Sequence, residues 1–174
     1  IRVPTCAAWP AVIKPGTRSD AALTSVDFMP TFAEVTGASL PTNQPVDGRS
    51  FAKVLQGQAA LKNRAIFWHY PLYLQGKGLT IDVPGGKTYS WRGFPSKSLR
   101  RGDWNLIEFQ ETNSVAFYNL RDDPGEQSNL ATTMPQIAAQ LRAELDAWQE
   151  KTNAPVPVLA NPECVLSSPT TSAN

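Results

Sequence analysis

An α+β fold, a small antiparallel sheet covered by one long helix, is predicted for the C-terminal part of this chain by three observations. Residues 104–109, Trp104-Asn105-Leu106-Ile107-Glu108-Phe109, mix aromatic, aliphatic and polar side chains in the half-buried manner of a strand. After a polar tip at 110–114, residues 115–120 place Val115, Phe117 and Asn119 on one face and Ala116, Tyr118 and Leu120 on the other, which predicts an antiparallel hairpin. It closes at Asp122-Asp123-Pro124-Gly125, where proline fixes φ, glycine tolerates a left-handed turn and the aspartates can bond their own backbone. Lastly, Ala138, Leu141, Leu145 and Trp148 recur at helical spacing, with Arg142, Glu144, Asp146 and Glu150 largely off that face. A one-sided helix and a one-sided sheet bury their apolar surfaces against each other.

The remaining elements follow in chain order. Residues 3–9 form a short apolar run closed by Pro10, predicting a strand with Cys6 packed in it, and Ile13-Lys14-Pro15-Gly16 is a turn. Thr24 or Ser25 caps a helix carrying Val26, Met29, Phe32 and Val35, with Pro30 early enough to be tolerated and Gly37 ending it. Asp47-Gly48 makes a turn, and Ser50 caps a brief helix through Leu55 that closes at Gly57. Residues 65–70 read as an aromatic and β-branched strand stopped by Pro71.

From Tyr73 to Lys97 the glycines and prolines predict a long loop, and loops of that length are commonly functional. Its charge is lopsided, with Lys77, Lys87, Arg92 and Lys97 against Asp82, interleaved with Tyr73, Tyr89, Trp91 and Phe94. That mixture suits an anionic ligand with apolar faces, such as a charged sugar; the same residues also suit a solvated loop whose aromatics pack back on the sheet. Residues 98–101 are a further strand leading into the hairpin. Thr132 or Thr133 caps the long helix, with Pro135 in its first turn. Beyond Asn153 the chain is proline-rich and then Ser/Thr-rich, predicting a disordered tail over 164–174.

At 174 residues with 41% hydrophobic and 18% charged, the chain has enough apolar material for an ordinary core. Sixteen basic and 15 acidic residues, net +1, give no basic footprint for nucleic acid. No run approaches the roughly 18 apolar residues of a membrane span, and no charged-then-apolar leader opens these residues. Cys6 and Cys164 can be two free thiols or a pair, since separation in sequence does not fix separation in space.

Chemistry-bearing residues are sparse. His69 is the single histidine, neither cysteine belongs to a Cys-x-x-Cys pair, and no glycine-rich phosphate loop follows a strand. No catalytic residue and no metal ligand is therefore assigned. His69, between Trp68 and Tyr70 at a strand end beside the basic loop, is placed to bond an anionic ligand or move a proton; a packed and hydrogen-bonded histidine has the same signature.

A set of short motifs in fixed order resembles the C-terminal part of type I, formylglycine-dependent sulfatases of the alkaline-phosphatase superfamily. They are Ile1-Arg2-Val3-Pro4 with Trp9-Pro10 and Lys14-Pro15-Gly16; Val26-Asp27-Phe28-Met29-Pro30-Thr31; and Asp47-Gly48-Arg49-Ser50-Phe51 with Leu55-Gln56-Gly57. Phe67-Trp68-His69-Tyr70-Pro71, Arg100-Arg101-Gly102-Asp103-Trp104, Phe117-Tyr118-Asn119-Leu120 and Asp123-Pro124-Gly125-Glu126 with Asn129-Leu130 continue the series. Asn153-Ala154-Pro155 with Asn161-Pro162 is similar to the ending of a bacterial, secreted, arylsulfatase-like branch.

The resemblance implies an α/β fold: residues 1–60 as the end of an alkaline-phosphatase-like large domain, and 61–163 as a C-terminal subdomain of antiparallel sheet plus helix. It implies hydrolysis of sulfate esters of a sulfated carbohydrate or an aryl sulfate by the complete enzyme. There a hydrated formylglycine attacks sulfur, calcium and lysines take up charge on the sulfate oxygens, and a histidine assists the leaving alcohol. Neither Cys6-Ala7-Ala8-Trp9 nor Cys164-Val165-Leu166-Ser167 matches the family's Cys/Ser-x-Pro-x-Arg nucleophile motif, so the nucleophile and metal ligands belong to an N-terminal catalytic part not represented in these residues. What this segment is expected to supply is scaffold and a pocket wall, with His69, Arg92 and Lys77 as substrate contacts. A periplasmic or secreted location is implied likewise. Asn105, where the family commonly has lysine, is expected to be a surface change of little cost. A noncatalytic module for sulfated or acidic sugars, and a phosphoester or phosphonate hydrolase of the same superfamily, are the alternatives.

Overall fold

The computed structural model describes residues 3–58, 61, 63–83, 87–110 and 112–156, without the side chains of 75, 77–83 and 87–91. Cys164 and the tail at 164–174 lie outside the described residues. The chain divides into two units, Ile1–Arg64 and Ala65–Asn174.

In the first unit a 3-10 turn, Ser25–Asp27, runs directly into helix α1, Phe28–Thr36, and a short helix α2 spans Ala52–Leu55. Gly37 ends α1 at φ 72°, its amide bonding carbonyls of the last turn, as its sequence position predicts. Lys14-Pro15-Gly16-Thr17 forms the predicted turn, with Gly16 at φ 76° and the Thr17 amide 3.2 Å from the Lys14 carbonyl. Ser50 Oγ accepts from the Ala52 amide at 3.2 Å, starting α2. The strand predicted over 3–9 is absent: these residues are irregular and Cys6 is an exposed free thiol. A strand needs a neighbour to complete its ladder, and the described part of this unit contains none.

The centre of this unit is polar. Asp27 is fully buried, its Oδ1 accepting from the Arg49 amide at 2.9 Å and its Oδ2 from the Thr24 amide at 2.8 Å and Arg64 Nη1 at 2.6 Å. Burial pushes its carboxyl up, but the bonds from Arg64, Arg49 and Thr24 and the guanidinium charge win and hold it below the ordinary 3.8. Thr31 Oγ1 donates to the Asp27 carbonyl at 2.6 Å and accepts from the Phe51 amide at 3.0 Å, tying α1 to the start of α2.

The second unit holds the predicted sheet. Strands β1 (Ala65–Tyr70), β4 (Ser96–Arg101), β5 (Trp104–Phe109) and β6 (Ser114–Asn119) pair antiparallel in the order β1-β4-β5-β6. The segment read as a long loop contains a second, two-stranded sheet, β2 (Leu74–Val83) with β3 (Lys87–Gly93). Glycines alone predict a loop, but Thr80, Ile81 and Val83, with Thr88, Tyr89 and Trp91, are strand formers that flank a Pro-Gly-Gly stretch. The glycines instead mark register breaks between Gln75 and Leu79, both opposite Trp91.

Helix α3, Pro135–Thr152, covers one face of the four-stranded sheet. The register aligns Phe67, Leu99, Leu106 and Phe117 in one row, and the last three are fully buried with Ala138, Leu141 and Leu145 of the helix. Trp148 stacks on Phe67 at 4.9 Å and Trp104 on Phe117 at 5.1 Å. Neither predicted threonine caps α3. The helix starts after Met134, and Thr133 Oγ1 turns back to the Leu130 carbonyl. Pro135, which has no amide hydrogen, occupies the first helical turn and lowers the need for a cap.

The Asp-Asp-Pro-Gly turn completes the sheet edge. Asp123 receives the amides of Gln127 (3.0 Å) and Ser128 (2.8 Å), bonds that hold its carboxyl below the ordinary value. Asn129 Oδ1 then accepts from the Phe117 amide at 3.0 Å, and the Leu130 amide donates to the Phe117 carbonyl at 2.7 Å, so the edge of β6 is covered. Asn105, expected on the surface, is buried: its Nδ2 donates to Oε1 of Glu126 at 2.5 Å, because this turn brings Glu126 over β5.

Candidate functional site

His69 lies next to the end of β1 and opposite Lys97 of β4; Lys97 is opposite Glu108, and Glu108 opposite Val115. In an antiparallel sheet such partners share a face. This row is therefore on the face that α3 covers, one step along from the Phe67-Leu99-Leu106-Phe117 row. Lys97, counted above with the loop cations, is in fact buried beneath α3. Its ammonium bonds Asp146 and, at 2.8 Å, Gln149 Oε1, and lies 3.6 Å from Glu108. Glu108, also buried, takes a second cation, Arg142, at 2.9 Å, and Arg142 reaches Asn113 Oδ1 at 2.6 Å. Arg101 and Glu144 make a further pair between sheet and helix. Sequence reading missed this cluster. Its signal was present, since Lys97 and Glu108 fall two residues from Leu99 and Leu106 and so share their face.

His69 Nε2 is 2.7 Å from the Pro155 carbonyl oxygen. A carbonyl can only accept, so Nε2 carries the proton and donates, and in the neutral ring Nδ1 is the bare acceptor. Nδ1 is buried and has no hydrogen-bond partner among the described residues. Asn153, in the left-handed conformation at φ 50°, ends α3 and turns the chain toward this contact.

Arg92 is an exposed residue of β3, and a side chain at Gly76, which has φ 150°, would meet Arg92 Cβ at 3.2 Å. Arg92 thus stands beside the bulge that contains Lys77, whose side chain is outside the described residues. The backbone brings Arg92 and Lys77 to the same hairpin, while His69 belongs to the other sheet. Tyr70 at the end of β1, Leu72 and Tyr73 after it, and Leu74 at the start of β2 are exposed apolar residues, and Tyr73 meets Phe94 edge-on at 6.1 Å. Among the described residues no group of three His, Cys, Asp or Glu could hold a metal ion.

Residues 1–151 match the family model described as N-sulphoglucosamine sulphohydrolase, C-terminal. The chain belongs to this sulfatase C-terminal family. A sulfatase of Formosa agariphila is 31% identical over 170 residues, 92% of this chain and 29% of the relative. Human arylsulfatase A is 30% identical over 163 residues, 84% of this chain and 31% of the relative. Among solved structures, a protein in complex with its substrate D-glucosamine-2-N,6-O-disulfate superposes with a TM-score of 0.63 at 26% identity, over 84% of this chain and 28% of that one. A phosphonate monoester hydrolase of Silicibacter pomeroyi, 23% identical with a TM-score of 0.52, shares the fold. The sulfatase segment therefore spans about three tenths of the length of these relatives. The expected fold, an arylsulfatase-like C-terminal part with its small antiparallel sheet and C-terminal helix, agrees with these matches.

Proposed function

We propose that this chain is the C-terminal part of an enzyme that hydrolyses sulfate esters of a sulfated carbohydrate, contributing scaffold and one wall of the substrate pocket. The observation that supports this reading is the match of residues 1–151 to the sulfatase C-terminal family, joined by relatives whose names include a ulvan-active sulfatase. On this reading residues 1–60 complete a large α/β domain and 61–163 form the C-terminal subdomain. The nucleophile, a formylglycine, and the calcium site belong to the preceding catalytic part, and the complete protein is periplasmic or secreted.

Arg92 and Lys77 offer cationic groups from the hairpin to an anionic sugar, and the exposed Tyr73 offers a ring face to its apolar side. His69 contacts substrate through Nε2–H, with a substrate oxygen taking the place of the Pro155 carbonyl as acceptor. The test compares two proteins. The complete protein with calcium should release sulfate from a chromogenic aryl sulfate and from sulfated glucosamine, and the 174-residue chain should not. Turnover by the chain alone, or a complete protein that cleaves phosphonate esters in preference to sulfate esters, would overturn the reading.

A further inference from the structure

The chain leaving α3 is aimed at His69. The Asn153 amide donates to the Glu150 carbonyl at 3.1 Å, and the Ala154 amide to the Gln149 carbonyl at 3.1 Å, with Asn153 at φ 50°. Those two bonds, from the left-handed residue and the one after it, make a Schellman turn. The turn sends the chain back to the sheet, where the Pro155 carbonyl accepts from Nε2 of His69 at 2.7 Å.

Past that turn the segment is lightly held. Pro155 has no amide hydrogen to give to β1, whose outer edge pairs with no strand among the described residues. Pro155 and Val156 are exposed, Val156 at 52%. An open cavity of about 450 Å³ is lined by Asp146, Gln149 and Glu150 of the helix and by Asn153, Ala154 and Val156 after it, which leaves the segment room to move.

We propose that residues 153–156 are an autoinhibitory strap, in which the Pro155 carbonyl competes with substrate for the Nε2–H of His69. The inference rests on the reading of His69 as a substrate contact and adds how that contact is regulated. Nε2–H is one donor, and a carbonyl at 2.7 Å fills it. A change of tautomer gives no escape, because a bare Nε2 would face the carbonyl lone pairs. Substrate therefore binds only the molecules whose strap is open, and its apparent affinity falls by that fraction. An anionic substrate oxygen makes a stronger bond to the ring than a neutral carbonyl, so it can displace the strap.

The experiment uses the complete protein and two shortened forms. One ends after Ala154 and keeps the Schellman turn; the other ends after Val156 and keeps the strap. The first should lower KM for sulfated glucosamine about fivefold, the worth of one neutral hydrogen bond, with kcat unchanged. The second should leave KM as it was. Asn153→Val, a β-branched residue disfavoured at φ 50°, misdirects the strap without adding a terminal charge and should also lower KM. In a His69→Ala background the truncation after Ala154 should have no effect. An unchanged or raised KM after Ala154 would overturn the proposal, as would a fall that persists without His69. An equal fall in both shortened forms would also overturn it, since inhibition would then come from beyond Val156. The ring nitrogen shifts of His69 give a readout independent of turnover: they should move on truncation after Ala154 and not after Val156. A protein that shows this shift but hydrolyses no sulfate ester sinks the function and keeps the strap; sulfate release with unmoved KM and ring shifts does the reverse.

Discussion

Lys97 and Glu108 face each other across the β4–β5 ladder, 3.6 Å apart between ammonium and carboxylate, and both are buried under the C-terminal helix. Neither relies on the other alone. Asp146 and Gln149 satisfy the lysine, and Arg142 the glutamate, so the cluster fastens two turns of α3 to two strands.

Removing one charge from such a cluster leaves the others buried without their partner. Lys97→Met, which keeps most of the apolar stem, should lower the stability of the second unit by about 3 kcal/mol. Lys97→Met combined with Glu108→Leu should cost less than the sum of the two single changes. Urea denaturation followed by Trp104 and Trp148 fluorescence reads both effects. Strict additivity would mean that the pair is not coupled.

Asp27 makes the first unit sensitive to acid. Its folded-state carboxyl sits below the ordinary value of 3.8, so it stabilises the fold above that value and ceases to do so as pH falls below it, through the folded-state value. The sign follows because the unfolded chain binds the proton more tightly. Asp27→Asn should therefore destabilise this unit by about 2 kcal/mol at neutral pH and flatten its dependence on pH in the acid range. Asp123 is depressed in the same direction, so the readout must be local: hydrogen exchange of α1 amides, residues 28–36, compared between pH 3 and pH 6. A variant with unchanged pH dependence would show that the Asp27 carboxyl does not set the acid sensitivity of this unit.

Gly48 and Gly16 separate two reasons for a glycine. A Cβ on Gly48 would lie 1.9 Å from the Val26 carbonyl oxygen and 2.5 Å from its carbon, whereas Gly16 has open space around it and φ 76°. Gly48→Ala must displace backbone beside the Asp27 network and should cost about 3 kcal/mol. Gly16→Ala pays only the left-handed conformation, about 1 kcal/mol. Thermal melts of the two variants side by side test the order; a reversed order would mean that residues 26 and 48 separate easily.

Local pattern made the C-terminal unit legible: the Trp104 hairpin, the β1 strand and the Leu141-Leu145 helix face are all as the residues spell them. What escaped had a partner far off in the sequence. Lys97 reads as a loop cation until Asp146 and Gln149, 49 and 52 residues on, are brought over it. Asn105 reads as surface until Glu126 folds back, and residues 3–9 read as a strand although the described part of their unit supplies no strand to pair with. The β2–β3 hairpin was hidden for a different reason: glycines at register breaks look like loop glycines. Of the candidate site, the motif order pointed to the family, but the His69 environment depended on Pro155, 86 residues away.

That environment sets the last prediction. His69 donates from Nε2 to the Pro155 carbonyl, and its buried Nδ1 has no partner among the described residues; the ring sits one residue before Tyr70, the exposed end of β1. If a substrate oxygen takes over the Nε2–H bond, His69→Ala in the complete protein should raise KM for a sulfated sugar about tenfold, the worth of one hydrogen bond to a charged group. The melting temperature should fall by no more than about 3 °C, because the Pro155 contact is one bond at the edge of the unit. His69→Gln, which restores a side-chain N–H donor, should recover part of the KM. A variant that melts far earlier and binds substrate normally would assign His69 to fastening the end of α3 and nothing else, and would leave Arg92 and Lys77 as the residues to test on the pocket wall.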